Sequence, residues 1–421
     1  MSEHFRKLLK WVGLINPNQV FLFMLAVFFI DSAVNFVFNI PIFVSVAMLI
    51  LPLLWLSHWK SGRKNVFLLI FISLFILVSL INNFVYKFDK TNISDLVFIL
   101  FFPTIYYFYK LRPEKLLPRT IHILFFVTMF MFMFAFAGIN STNFRNEPRG
   151  RTEAVKLLKK KKVKPKRNNL DVIERNRKYN YGLFRVPHLA NYFWGFLFLF
   201  YGFAFQKKKK WYYLVGGLAA MLFMLYSGSR TFLVAVFLAL MLYWIRRKTI
   251  VYVLITGAAS ALILFFRYEL YHALEETFLS NYVGLLITTV DNFSRLSRAI
   301  IWSSWWYEMQ HFVWYDFLIG KTFVGSMDAN LVNIHFREWF HNDFLSISYA
   351  YGFFALMLYL VFFYKMFREN ARFIRNNAYL FVFFFAMIFS AFFNGFYYYF
   401  PVFLIFIFVY MLKLEKIALK Q

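Results

Sequence analysis

Residues 66–82 read VFLLIFISLFILVSLIN, a run without one charged side chain. As an α-helix rising ~1.5 Å per residue, it approaches the roughly 30 Å hydrocarbon core of a bilayer. Working outward in both directions, eleven more such runs lie near 19–37, 40–57, 93–109, 120–139, 189–205, 211–227, 231–245, 249–266, 343–364, 378–396 and 400–413. The composition agrees. The 421 residues are 61% hydrophobic and include 62 Phe, and the mean hydropathy is +0.57. An ordinary soluble globule does not have such a composition. The expected fold class is an all-α polytopic integral membrane protein of about twelve transmembrane helices.

A formal charge of +27 in a soluble protein would point to nucleic acid. Here the charge is topological, and no nucleic-acid partner is expected. Lys and Arg cluster at Arg6 to Lys10, Lys60 to Lys64, Lys110 to Arg119, Lys207 to Lys210, Arg246 to Lys248, Lys365 to Arg375 and Lys413 to Lys420, the alternate ends of the apolar runs. By the positive-inside rule both termini are then cytoplasmic. Arg6, Lys7 and Lys10 among Phe5, Leu8, Leu9 and Trp11 suit an interfacial amphipathic helix, and the first span is expected to remain as a signal anchor. The absence of cysteine excludes disulfides, thiolate metal sites and Cys nucleophiles. Within the spans ionisable residues are scarce, chiefly Asp31 and Asp95, which counts against an ion-coupled pump.

The expected organisation is an interfacial helix and five spans over 1–139, a basic outer loop over 140–188, four spans over 189–266, a long outer loop with interfacial helices over 267–342, and three spans with a cytoplasmic C-terminus over 343–421. The outer loops differ in kind. Between Arg145 and Arg185 seven Arg and eight Lys face four carboxylates, a net +11 on the side of a membrane where basic residues are normally sparse. Such a segment reads as an electrostatic vestibule for something anionic, including the membrane lipids. The loop 267–342 has five basic and eight acidic residues and carries Trp302, Trp305, Trp306, Trp314 and Trp339. Its Ala299, Ile300, Trp302, Trp306 and Met309 recur at helical spacing, which suits a helix lying on the membrane surface.

Three short patterns sit at the outer boundary. Tyr181 to Tyr192 closes the basic loop and holds Arg185 between Gly182 and Pro187. Ser227-Gly228-Ser229-Arg230-Thr231 is a tight turn presenting one Arg. The third begins at Ser294-Arg295-Leu296-Ser297-Arg298, continues through Trp302, and ends in His341-Asn342, with nine residues intervening before Gly352. Converging guanidinium groups suit a diphosphate, because they keep their charge and offer forked donors to phosphate oxygens without a metal ion. No outer Asp-x-Asp is present, and Glu275-Glu276 is the nearest acidic pair.

Together these patterns resemble the O-antigen ligase and O-antigen polymerase superfamily of bacterial envelope glycosyltransferases, over roughly residues 180–396. Two departures leave the subgroup open. Ala355 stands where the ligase pattern has Gly, Thr or Tyr, and no Arg of the two outer loops is followed by Gly after ten intervening residues as in some polymerases. The resemblance implies a GT-C-like, mainly helical enzyme of the bacterial inner membrane with its active site on the periplasmic face. It implies an undecaprenyl-diphosphate-linked glycan as donor, an acceptor glycan or lipid A-core as acceptor, inversion at the anomeric carbon, and neither cofactor nor metal. It assigns catalysis to His341 and Asn342, diphosphate binding to Arg185, Arg230 and Arg298, and glycan contact to Trp302, Arg295 and Arg337. The alternatives are a flippase or exporter of lipid-linked oligosaccharide, which would line a polar through-cavity, and a scaffold, in which Arg230, Arg298 and His341 would not meet.

Overall fold

The computed structural model describes residues 15–38, 42–60, 65–86, 88–137, 187–227, 231–246, 250–274, 283–284, 287, 297–335, 337–397 and 401–419. The basic segment up to residue 186, and with it Arg185, lies outside the described residues, as do Arg230 and Arg295. Among the described residues the fold is all-helical, with sixteen α-helices and one 3-10 turn. They are α1 (Pro17–Phe38), α2 (Ile42–Lys60), α3 (Val66–Val85), α4 (Lys90–Leu111), the 3-10 turn Pro113–Lys115, α5 (Pro118–Phe136), α6 (Pro187–Lys208), α7 (Trp211–Tyr226) and α8 (Thr231–Arg246). There follow α9 (Ile250–Phe265), α10 (Arg267–Ala273), α11 (Ser297–Met309), α12 (Trp314–Ile319), α13 (Phe323–Ile334), α14 (Asp343–Asn376), α15 (Ala378–Phe393) and α16 (Pro401–Ala418).

Each of the twelve apolar runs forms one helix. Among the described residues, α3, α4 and α14 are both long and apolar enough to cross a bilayer by length and composition, with shorter apolar stretches in α1, α2, α5, α7, α8 and α15. Helix length alone therefore establishes fewer crossings than the twelve expected from hydropathy. For α7, α8 and α15 the shortfall is geometric, since they have 16 residues each, or about 24 Å of helix against a core of roughly 30 Å.

The sequence of each helix tells where it packs. In α4 every residue from Val97 to Tyr109 is buried, and so is the stretch Val402 to Leu412 of α16. A helix apolar on all sides belongs at the centre of a bundle. These two central helices touch each other and are wrapped by α1, α2, α3, α6, α14 and α15. By contrast α7 and α9 leave Leu218, Leu222, Leu254 and Ile255 exposed, the kind of apolar outer surface that acyl chains cover. Aromatic rings fill the centre. Phe102 alone meets Phe362, Phe363 and Phe396 at centroid distances of 4.9, 5.5 and 5.0 Å, joining α4 to α14 and to the turn before α16.

The described part of the loop 267–342 is a helical layer, α10 to α13. The residues read as one apolar face of α11 form its buried side only in part. Ile300 and Trp306 are 40% and 61% exposed, whereas Ile301, Ser304 and Met309 are buried. Trp302 and Trp305 are partly covered by the same cluster, which includes Phe340 and Tyr349. The face was set by what the layer packs on, which helical spacing alone does not contain.

α14 is broken at Gly352, where φ is +78° and ψ 176°. A Cβ there would lie 2.2 Å from the carbonyl oxygen of Leu318 at the end of α12. The kink frees carbonyls that a continuous helix would bond, and those of Tyr349 and Ala350 find other donors. The Lys321 amide bonds Tyr349 O at 2.7 Å, and Asn82 Nδ2 of α3 bonds Ala350 O at 2.7 Å and Ile319 O at 2.6 Å. A broken helix is tolerated in an apolar setting only when its backbone groups are satisfied in this way. Gly352→Ala combines a steric clash with a left-handed φ, so we expect a loss of about 3 kcal/mol or more, read as a lowered thermal midpoint in fluorescence-detected size-exclusion chromatography.

Candidate functional site

The turn Asn394-Gly395-Phe396-Tyr397, between α15 and α16, brings together the separate patterns read from the sequence. Asn394 is buried and closes α15 through its amide to Ser390 O at 3.0 Å. Its side chain spans three other elements. Asn394 Oδ1 accepts from Arg298 Nη2 in α11 at 2.5 Å, and Nδ2 donates to the Tyr192 hydroxyl of α6 at 2.9 Å and the Thr231 hydroxyl of α8 at 2.8 Å. Tyr192 ends the first pattern, Thr231 ends the second and adjoins Arg230, and Arg298 belongs to the third.

The His341 loop reaches the same turn through Asp343. Its carboxylate accepts from the amides of Phe396 at 2.8 and 2.9 Å and Tyr397 at 3.2 Å, and from the Tyr359 hydroxyl at 2.6 Å. Gly395 has φ +80°, and a Cβ on it would stand 2.0 Å from the Trp339 ring and 2.9 Å from Asp343 Oδ1. Only a glycine lets the turn approach the loop this closely. Below it, Asp95 of α4 accepts from the hydroxyls of Tyr397 and Tyr351 at 2.9 and 2.8 Å. Asp95 and Asp343 are fully buried, and such carboxylates persist inside a bundle because donors surround them.

His341 lies directly before this latch. Its φ is +52°, a region costing roughly 1–2 kcal/mol for a residue with a Cβ. Its ring meets the Trp339 ring at a centroid distance of 5.0 Å, and Nε2 is held by the carboxylate of Glu338. A carboxylate is an acceptor, so Nε2 carries the proton in the neutral ring and Nδ1 carries the lone pair. Nδ1 is buried and has no partner among the described residues. Burial, and then the nearby Arg298 guanidinium, push the His341 pKa below its ordinary value, while Glu338 opposes them. The ring is therefore a neutral base at pH 7, with its lone pair unspent.

The other expected site residues divide. Asn342 is the N-cap of α14, its Oδ1 accepting from Phe344 and Leu345 amides at 2.9 and 3.1 Å; its Nδ2 is buried without a partner. The cap explains Asn342 before any substrate does. Trp302 stacks near Phe392 and Phe393, both at 5.6 Å. Arg337 Nε pairs with Asp328 at 3.3 Å. Two small clefts in the bundle are lined by neither Arg298 nor His341. Among the described residues no group of three His, Asp or Glu could hold a metal ion.

Sequence reasoning missed Asn394, Asp343, Asp95 and Glu338. The Asn-Gly pair at 394–395 is a turn signal inside an apolar run, and Glu338 stands three residues before His341, but nothing local told that α6, α8 and α11 end beside them. No family model, curated protein or solved structure matches the chain.

Asn394→Ala would leave the Arg298, Tyr192 and Thr231 groups without their shared partner. We expect a loss of about 2–4 kcal/mol, measured as a fall in thermal midpoint with the helical circular-dichroism signal retained below the transition.

Proposed function

We propose that this chain is a membrane glycosyltransferase of the O-antigen ligase or polymerase type, moving a glycan from an undecaprenyl-diphosphate carrier to an acceptor hydroxyl of a second glycan or of lipid A-core. The observation that carries this reading is the convergence of the Tyr192, Thr231 and Arg298 segments and the His341 loop on the turn at Asn394–Tyr397. A scaffold has no use for a basic guanidinium and a neutral histidine held beside one buried hub. On this reading the twelve apolar helices cross the bacterial inner membrane in a GT-C-like bundle. Both termini are then cytoplasmic and the site is periplasmic.

In the proposed step the acceptor oxygen bonds the anomeric carbon while the bond from that carbon to the carrier diphosphate breaks, with inversion. The bonding electron pair leaves with the diphosphate, whose charge Arg298 meets, joined by Arg185 and Arg230 from the adjoining segments. The hydroxyl proton passes to His341 Nδ1, and the imidazolium so formed is stabilised by Glu338 at Nε2. Asn394 positions Arg298, and Asp343 positions the His341 loop. Guanidinium groups take the place of a metal ion on the diphosphate.

Purified protein in lipid, supplied with carrier-linked glycan and acceptor, should transfer glycan. His341→Ala is expected to lower the rate by about 10²–10⁴-fold, the range for losing a positioned base, and Arg298→Ala comparably. Full activity in both folded variants would remove the mechanism. The pH profile gives a second check. Because the His341 pKa is lowered, its proton is gone at pH 7 and the acidic limb should fall below the ordinary histidine value of about 6.5. Glu338→Gln removes the one group that raises that pKa, so the limb should move to lower pH while the rate falls; an unmoved limb would exclude His341 as the titrating base.

A flippase or exporter of lipid-linked oligosaccharide is the alternative, and the Asp95–Tyr397–Asp343 network within the bundle is the observation in its favour, since buried carboxylates are what coupled transporters use. Vesicles distinguish the two, because a flippase moves the carrier-linked glycan between leaflets without changing it.

A further inference from the structure

At the opposite end of the same helices, four elements close around a small cleft lined by Tyr106 and Lys110 of α4, Pro113 of the 3-10 turn, Asn370 of α14, and Val409, Leu412, Lys413 and Lys416 of α16. Asp95 and Lys110 share α4, which places this cleft roughly 22 Å from the Asp95 end of the latch. Three ammonium groups share the rim. One is neutralised, because Lys110 pairs with Glu369 at 2.6 Å. Lys413 is aimed by the carbonyls of Glu114 and Leu116, at 3.0 and 2.7 Å, and Lys416 lies 5.4 Å over the Phe373 ring.

Neither Lys413 nor Lys416 has a carboxylate at ion-pair distance among the described residues. The nearest in sequence, Glu415, is buried and already bonded by Lys207 at 2.9 Å and Asn377 at 3.0 Å. Like charges held around one cleft are destabilising until an anion joins them. The polar groups beside them are already satisfied, with the Asn370 amide donating to the Tyr106 hydroxyl at 2.9 Å and to Met366 O at 2.8 Å and the Tyr106 hydroxyl donating to Glu369 at 3.3 Å, which leaves the ammonium groups as the donors for a ligand. The floor is apolar, from Val409, Leu412 and Pro113. A cationic rim over an apolar floor, between helices at the basic end of a membrane bundle, suits a phosphate group with an apolar attachment.

We propose that this cleft is a binding site for a phosphate-bearing anion, the headgroup of an anionic phospholipid or a soluble phosphate compound, held by Lys413 and Lys416. The proposal is independent of glycosyl transfer.

The test uses the full chain, delipidated in neutral detergent, with thermal unfolding followed by tryptophan fluorescence after addition of phosphatidylglycerol, phosphatidylcholine or inorganic phosphate. Phosphatidylglycerol is expected to raise the midpoint by roughly 2 °C or more, and phosphatidylcholine by less. Lys416→Gln should remove at least half of that rise, Lys416→Arg should keep it, and Lys365→Gln, a basic residue at the same end outside the cleft, should also keep it. Lys413→Gln, which gives up two carbonyl contacts, serves as the second variant. Stabilisation by the anionic lipid alone assigns a lipid headgroup, and equal stabilisation by inorganic phosphate assigns a soluble ligand. An undiminished rise in both Lys416→Gln and Lys413→Gln, or an equal rise with phosphatidylcholine, would overturn the site.

Discussion

The side chain of Asn394 is the contact on which the arrangement of this end of the bundle depends. One amide, with one acceptor and two donors used, joins the start of α11 to the starts of α6 and α8 across the cap of α15. Such a residue is worth more than its separate hydrogen bonds, because it couples three buried polar groups among aromatic rings. An apolar side chain of the same size could fill the volume but could not select which helix ends meet. The amide supplies that selection.

The neighbouring carboxylate completes the constraint. Asp343 holds the backbone of Phe396 and Tyr397, and Tyr397 in turn holds Asp95 at the start of the central helix α4. The histidine loop, the asparagine turn and the bundle core are thus one hydrogen-bonded unit. A guanidinium and an imidazole kept close without an intervening acid would repel once the ring is protonated, and the lowered His341 pKa is the expression of that geometry. Glu338 limits the effect and decides which ring nitrogen is left free. The strained φ of His341 is consistent with a loop over-determined from both sides.

The broken helix α14 shows how a membrane-type fold accommodates an interruption. The backbone passes Leu318 so closely that no side chain fits at Gly352, and Asn82 and Lys321 take the carbonyls released there. This kink lets the first part of α14 serve the His341 loop while its second part runs on to the basic end, where Asn370 lines the lysine cleft. One helix thereby contributes to both ends of the bundle.

What the sequence alone determined was the apolar inventory: twelve runs that each became a helix, the central ones apolar on every side, and the motif residues Arg298, His341 and Gly352. These are local properties, because burial, period and glycine tolerance are written in consecutive residues. Which face of α11 is buried, the partnership of Glu338 with His341, and the union of Tyr192, Thr231, Arg298 and Asn394 were decided only by the tertiary structure. Those contacts join residues as many as 202 positions apart. Hydropathy is nearly blind to such contacts in an apolar chain, where almost every helix face is greasy enough to pack and only a few polar side chains determine which packing holds.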